Sequence, residues 1–234
     1  MADLSAFPIT TQWPPQNASV IQLYSFPTPN GVKASIALEE SGLAYEPHLV
    51  NIMSGATTEP PFLSLNPNNK IPAIIDPDGP GGAPFALWES GAILLYLAEK
   101  SGRMMPSDPS DRYHAVQWLM WQMGGLGPMA GQMGFFHKFA GAAIEDPRPK
   151  ERFVSEVTRL LKVLDQALDG RDWLAREFSV ADIAIVPWVR TVRDFYEAAD
   201  LVKLNDRKNV LAHIDRFMER PAAVAGMNIP ARPE

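Results

Sequence analysis

The chain of 234 residues is 46% hydrophobic and 21% charged, carries a formal net charge of −6 and contains no cysteine. That balance lies far from disordered, fibrous or membrane compositions, and without a basic run it argues against nucleic acid and anionic membranes as partners. Without cysteine there are no disulfides, thiolate metal sites or protein-borne thiol chemistry, so any sulfur that reacts must arrive on a ligand.

Residues 1–18 mix Pro8, Pro14 and Pro15 with Thr, Gln and Asn, lack the basic start and apolar block of a secretion leader, and read as an extended arm of a cytoplasmic protein. A strand is predicted over 20–26. Thr28-Pro29-Asn30-Gly31 then opens a helix that stops at Gly42, with Thr28 as N-cap and Pro29 at the first helical position. A second strand over 45–52 contains Pro47, which confines it to an edge or a bulge. A helical turn near 61–65 precedes Asn66-Pro67, and short apolar runs at 73–76 and 85–88 flank a Pro/Gly-rich turn as a hairpin. Ser90 is expected to cap an apolar helix over 93–100, closed by Gly102.

Residues 105–111 hold two prolines and several turn formers and read as a linker. Beyond them strand signals vanish, and helical periodicity covers 112–133, 149–168, 179–198 and 206–220, the first interrupted by Gly124-Gly125 and Gly127-Pro128. The fold class is therefore an α/β layer domain over 19–104 followed by an all-α domain over 112–234.

Three short stretches carry chemistry. Thr28-Pro29-Asn30 sits where a strand feeds a helix, so backbone N–H groups and side-chain donors face an anion there, and a thiolate is one such anion. The same residues equally make a well-capped helix start with no ligand. Ile71-Pro72 precedes a strand, where a cis bond turns the Ile71 backbone outward to meet a peptide-like ligand; an ordinary turn is the alternative. Glu89-Ser90 offers a carboxylate and a hydroxyl that suit an amino-acid head group, or a cap alone.

Elsewhere the residues read as structural. Ser179 and Asp182 fit a capping box with Phe178 and Ile183 as its hydrophobic staple, making Asp182 a buried cap and not an acid. His48, His114, His137 and His213 lack metal-ligand spacing, so no metal is expected. The Met and Trp stripe from Trp118 to Met133 reads as core that partly lines a cleft.

Thr28-Pro29-Asn30-Gly31, residues 68–73, the stretch 89–97 and the Ser179/Asp182 cap stand in an order and spacing that resemble the cytosolic glutathione transferases over residues 19–220. The tract 118–132 is most similar to the nu class, the disulfide-bond reductase type, and its fungal nitrogen-regulator relatives. The resemblance implies a thioredoxin-like N-terminal domain with an all-α C-terminal domain, and glutathione as cosubstrate. It implies that Ile71 and Pro72 hold the cysteinyl backbone, Glu89 and Ser90 the γ-glutamyl head, Lys70 the glycyl end and Arg152 a carboxylate. It also implies a glutathione contact at Thr57, which stands where some nu-class relatives carry glutamine. Thr28 and Asn30 then face the sulfur as the catalytic pair, and Trp121, Phe135 and Phe136 line the second-substrate cleft.

The activity so implied is glutathione-dependent thiol-disulfide exchange, in which one glutathione thiolate attacks and another sulfur leaves. Oxidised glutathione, a small disulfide or an electrophile is the partner molecule, and a homodimer is expected. Two rivals share the fold: a conjugating transferase for electrophilic xenobiotics, and a non-catalytic glutathione-binding regulator, for which the chain lacks an Asn/Gln-rich arm.

Overall fold

The computed structural model describes residues 4–232. The chain divides into two compact units, one running to Arg103 and resuming at Pro221, the other Met104–Arg220.

The first unit is organised by β1 (Ile21–Ser25), whose five residues are all buried. α2 (Gly31–Ser41) leads from it to β2 (Tyr45–Leu49), which pairs parallel to β1. β3 (Ala73–Asp76) and β4 (Phe85–Trp88) complete a sheet of order β2-β1-β3-β4 with antiparallel pairing across β1, β3 and β4. Pro47 lies on edge strand β2, where a missing N–H leaves no ladder bond unmade. α4 (Ser90–Ser101) follows β4, and both α2 and α4 end on glycine, Gly42 at φ 70° and Gly102 at φ 66°.

Register puts Tyr24, Ala73 and Ile75 on one sheet face, where they share a core with Phe62 and Leu65 of α3 (Pro60–Leu65). Leu4 and Ile9 complete that core, and here the structure corrects the sequence reading. Residues 4–18 are no extended arm, the first three residues of that expectation lying outside the described ones: α1 (Ile9–Gln12) forms, and Trp13 meets Tyr24 edge-on at 6.3 Å while its indole N–H donates to the Leu49 carbonyl at 3.1 Å. The Glu46 carboxylate ties the segment down by accepting from the backbone N–H groups of Gln16 and Asn17, both at 2.8 Å. The anchors Leu4, Phe7, Ile9 and Trp13 follow no single period, so their burial, roughly 2 kcal/mol for each fully buried aliphatic side chain, was invisible to pattern reading.

On the same face, the Gln22 amide donates to the Asn17 and Val20 carbonyls, so its oxygen is left to accept from Nε2 of His48 at 2.8 Å. Nε2 of His48 therefore carries a proton, and burial lowers the pKa of the ring, against which Glu46 pulls.

A second correction concerns the chain's end. α10 (Pro221–Gly226) packs on α2: a Cβ on Gly226 would stand 2.5 Å from Ile36 Cα, and Ser35 Oγ donates to the Gly226 carbonyl at 2.6 Å. Residues from Pro221 thus belong with the first unit, in place of a helical domain running to 234. The expected linker 105–111 is shorter too. α5 (Pro109–Trp121) already starts inside it, capped by Asp108 Oδ1, which accepts from the N–H groups of Ser110 and Asp111.

In the second unit the glycine-broken helix resolves into α5, a single π-helical turn over Gln122–Leu126, and α6 (Gly127–Lys138). α7 (Arg148–Ala167), α8 (Val180–Arg190) and α9 (Lys208–Met218) follow, with α8 buried over nearly its whole length. The capping box forms as expected. Asp182 Oδ2 accepts from the Ser179 N–H at 2.9 Å and Oδ1 from the Leu174 N–H at 3.3 Å, while His213 Nε2 lies 2.8 Å from Oδ1 in full burial.

Asp182→Ala removes all of these partners at once, and equilibrium denaturation should show a loss of about 3 kcal/mol. Gly226→Ala should detach the last segment from α2, read as faster proteolytic clipping near residue 220 and a lower Tm.

Candidate functional site

Hydrogen bonding starts α2 earlier than its regular range. The Thr28 carbonyl accepts from the Val32 N–H at 3.0 Å and Thr28 Oγ accepts from the Gly31 N–H at 3.1 Å, so Thr28 is the true cap and Pro29 the first helical residue. The junction is tight: a Cβ on Gly31 would lie 1.9 Å from the Phe26 carbonyl oxygen, which excludes every other residue type there. Since Thr28 Oγ accepts within the helix, its proton is left to donate, and no acceptor among the described residues takes it.

Behind this turn lies Lys33, fully buried, a residue the sequence reading missed. Its ammonium donates to Asn30 Oδ1 at 2.9 Å and reaches Ser90 Oγ at 3.5 Å, joining the entrances of α2 and α4. Burial pushes the Lys33 pKa down to about 7, with Glu89 pulling it back up. The signal available in the sequence was a single lysine inside the apolar turn from Val32 to Leu38.

At α4 the cap position is Glu89, not Ser90, since the Glu89 carbonyl accepts from the Ile93 N–H at 2.9 Å. Glu89 sits at φ 74°, a conformation costing a non-glycine residue on the order of 1 kcal/mol, and its carboxylate makes no capping bond. Ser90 is buried in the first turn with its hydroxyl toward Lys33, which is why it does not cap.

The Ile71–Pro72 peptide bond is cis, and among the described residues neither the Ile71 N–H nor its carbonyl has a hydrogen-bond partner. Asn66 holds the preceding loop by donating to the Lys70 carbonyl at 2.6 Å and accepting from the Asn68 N–H at 2.9 Å. Asn69, also missed, adopts φ 59° with a buried Oδ1 that no described residue satisfies; asparagine is a residue type that tolerates this backbone.

Register brings these pieces to one end of the sheet. Ala73 pairs with both Tyr24 and Trp88, so Pro72 lies opposite Ser25 on one side and Glu89 on the other, where β1 runs up toward Thr28. Thr28, Asn30, Ile71, Pro72, Glu89 and Ser90 are thus gathered. Thr57, buried in the turn Ala56–Thr58, and exposed Lys70 lie on the connection before β3; no hydrogen bond or ion pair among the described residues ties their side chains to that group.

In the second unit, Phe136 stacks on Phe153 at 5.6 Å and meets Phe135 edge-on at 5.1 Å, directly beside Arg152 in the chain, whose side chain is exposed. Trp121 has a different ring neighbour, Trp118 at 5.0 Å. Among the described residues no group of three or more His, Asp or Glu is placed to hold a metal, and no helix is long and apolar enough to cross a membrane.

Residues 19–99 match the family model of the glutathione S-transferase N-terminal domain and residues 129–221 that of its C-terminal domain. The chain belongs to the glutathione transferase family. Among curated members of that family, disulfide-bond oxidoreductase YfcG of Escherichia coli is 48% identical over 172 residues, 73% of this chain and 79% of that protein. Disulfide-bond oxidoreductase YghU of the same organism is 38% identical over 88% of this chain and 73% of its own length. Among solved structures, a glutathione transferase from Pseudomonas putida with one glutathione disulfide bound per subunit superposes with TM-score 0.97 and 58% identity, covering 98% of this chain and all of the other. One from Burkholderia graminis with two glutathione molecules per subunit gives TM-score 0.97 and 58% identity, covering all of this chain and 98% of that one.

A lysine held at about 7 when folded and near 10.5 when unfolded makes the unfolded chain bind the extra proton across that interval, so this group's contribution to stability rises with pH between them. The stability of the unliganded protein relative to Lys33→Met should therefore climb by about 1.4 kcal/mol per pH unit between pH 7.5 and 9.5, measured by denaturant titration.

Proposed function

We propose that this glutathione transferase is a glutathione-dependent disulfide-bond oxidoreductase. The observation that carries the reading is the gathering of a proton-bearing Thr28 hydroxyl, the Asn30 carboxamide, the unpaired Ile71 backbone and the Glu89-Ser90 pair at one sheet end, in a chain with no thiol of its own. The binding of glutathione and its disulfide by close structural relatives supports it.

Ile71 pairs through its N–H and carbonyl with the cysteinyl backbone of glutathione, as one strand meets another. Glu89 takes the γ-glutamyl ammonium; Ser90 and the first N–H groups of α4 take the carboxylate. Lys70 meets the glycyl end, Thr57 is a further glutathione-binding residue, and Arg152 meets a carboxylate of glutathione. The sulfur then lies over the start of α2, where the Thr28 hydroxyl and Asn30 donate to it and the helix end favours the thiolate.

That thiolate attacks a substrate disulfide, forming a mixed disulfide and releasing one sulfur as a thiolate that takes up a proton. A second glutathione thiolate then attacks the glutathione sulfur, giving oxidised glutathione and the second reduced thiol. Both electrons come from two glutathione molecules and none from the protein.

The aromatic cluster of Phe135, Phe136 and Phe153 favours a second reading, conjugation of an apolar electrophile, with Trp121 as a further wall of the cleft. The protein works as a cytoplasmic homodimer, to be checked by light scattering.

Turnover of 2-hydroxyethyl disulfide with glutathione should exceed that of a chloronitrobenzene, and Asn30→Ala should lower kcat/KM for the disulfide by roughly a hundredfold. No disulfide turnover with brisk conjugation would sink the reading in favour of the second. Glutathione binding by calorimetry without either activity would leave a regulator.

A further inference from the structure

Resting on the reading that Asn30 faces the glutathione sulfur, we infer that Lys33 is a positioning residue for the reaction: it grips the Asn30 carboxamide by its oxygen, so that the amide nitrogen is the end presented to sulfur.

An ammonium carries three donors and no acceptor, so the atom of Asn30 that meets it at 2.9 Å is the oxygen. A carboxamide held by its oxygen has only N–H donors at its other end, and a thiolate needs donors. Without Lys33, the amide of Asn30 turns over at little cost, and its oxygen then faces the sulfur and repels the anion.

A fully buried lysine is rare, and its cost is met only where specific partners hold it. Partners on both helix entrances hold it here, Asn30 at α2 and Ser90 at α4, and the Glu89 carboxylate adds attraction. Lys33 thereby links the group that meets the sulfur to the group that meets the γ-glutamyl carboxylate. Each bound anion favours the ammonium form, whose pKa burial has brought near neutrality. Binding the head group thus helps to set the donor that activates the thiol.

The test is the pKa of the thiol of protein-bound glutathione, followed by thiolate ultraviolet absorbance, together with steady-state disulfide turnover. Lys33→Met should raise the bound-thiol pKa by about one unit and lower kcat about tenfold at neutral pH, with KM for glutathione moving less than about threefold. In an Asn30→Ala background the same change should add less than about twofold, because Lys33 acts through Asn30. An unchanged thiol pKa in Lys33→Met beside a raised one in Asn30→Ala overturns the inference and leaves the site reading intact. No effect from Asn30→Ala overturns both. Should Lys33→Met fail to fold, Asn30→Asp keeps the acceptor for Lys33 while removing the amide donors. Its bound-thiol pKa should rise at least as far as in Asn30→Ala, and a wild-type value would refute the inference.

Discussion

The site depends on how closely helix α2 is brought down onto the end of strand β1. Gly31 has no room for a side chain above the Phe26 carbonyl, and Thr28 spends its hydroxyl oxygen on the Gly31 N–H to begin the helix there. That closeness points the helix's positive end at the same corner of the sheet to which register brings Pro72 and Glu89. Loosen the junction and the three groups no longer meet at one end of the sheet. α10 supports it from behind through a contact with α2 that tolerates no Cβ on Gly226.

In the proposed reaction a cysteine-free chain must obtain its chemistry by holding foreign sulfur well. The burden then falls on fixed donors, and a fixed donor needs something rigid behind it. Lys33 is expensive to bury, yet it stands between two helix entrances, and in the inferred arrangement it gives the Asn30 amide one orientation where free rotation would allow two. Positive φ at Asn69, next to a residue proposed to meet the tripeptide, and at Glu89, itself proposed to do so, is the same trade of backbone comfort for placement.

Much of the fold was legible in the residues. Alternation and turn chemistry marked β1 and the β3–β4 hairpin, Pro47 marked an edge strand, and Gly42 and Gly102 marked helix ends, because each of these is decided within a few residues of chain. The capping box of Ser179 and Asp182 is equally local. The motifs at Thr28, Ile71-Pro72 and Glu89 were readable for the same reason, and their common order along the chain disclosed the family.

What the tertiary structure alone decided are the matters in which distant residues meet. The amphipathic character of residues 4–18 appears only when the Tyr24 face of the sheet is there to receive Leu4, Ile9 and Trp13. The docking of Pro221–Gly226 on α2 turns on a contact nearly two hundred residues apart in sequence. Ser90 looked like a cap, but Lys33 claims its hydroxyl and the cap falls to the Glu89 backbone. By itself the sequence determined the local elements, the absence of protein thiols and the family; burial and register, which are properties of the packed whole, decided that Lys33 stands behind Asn30.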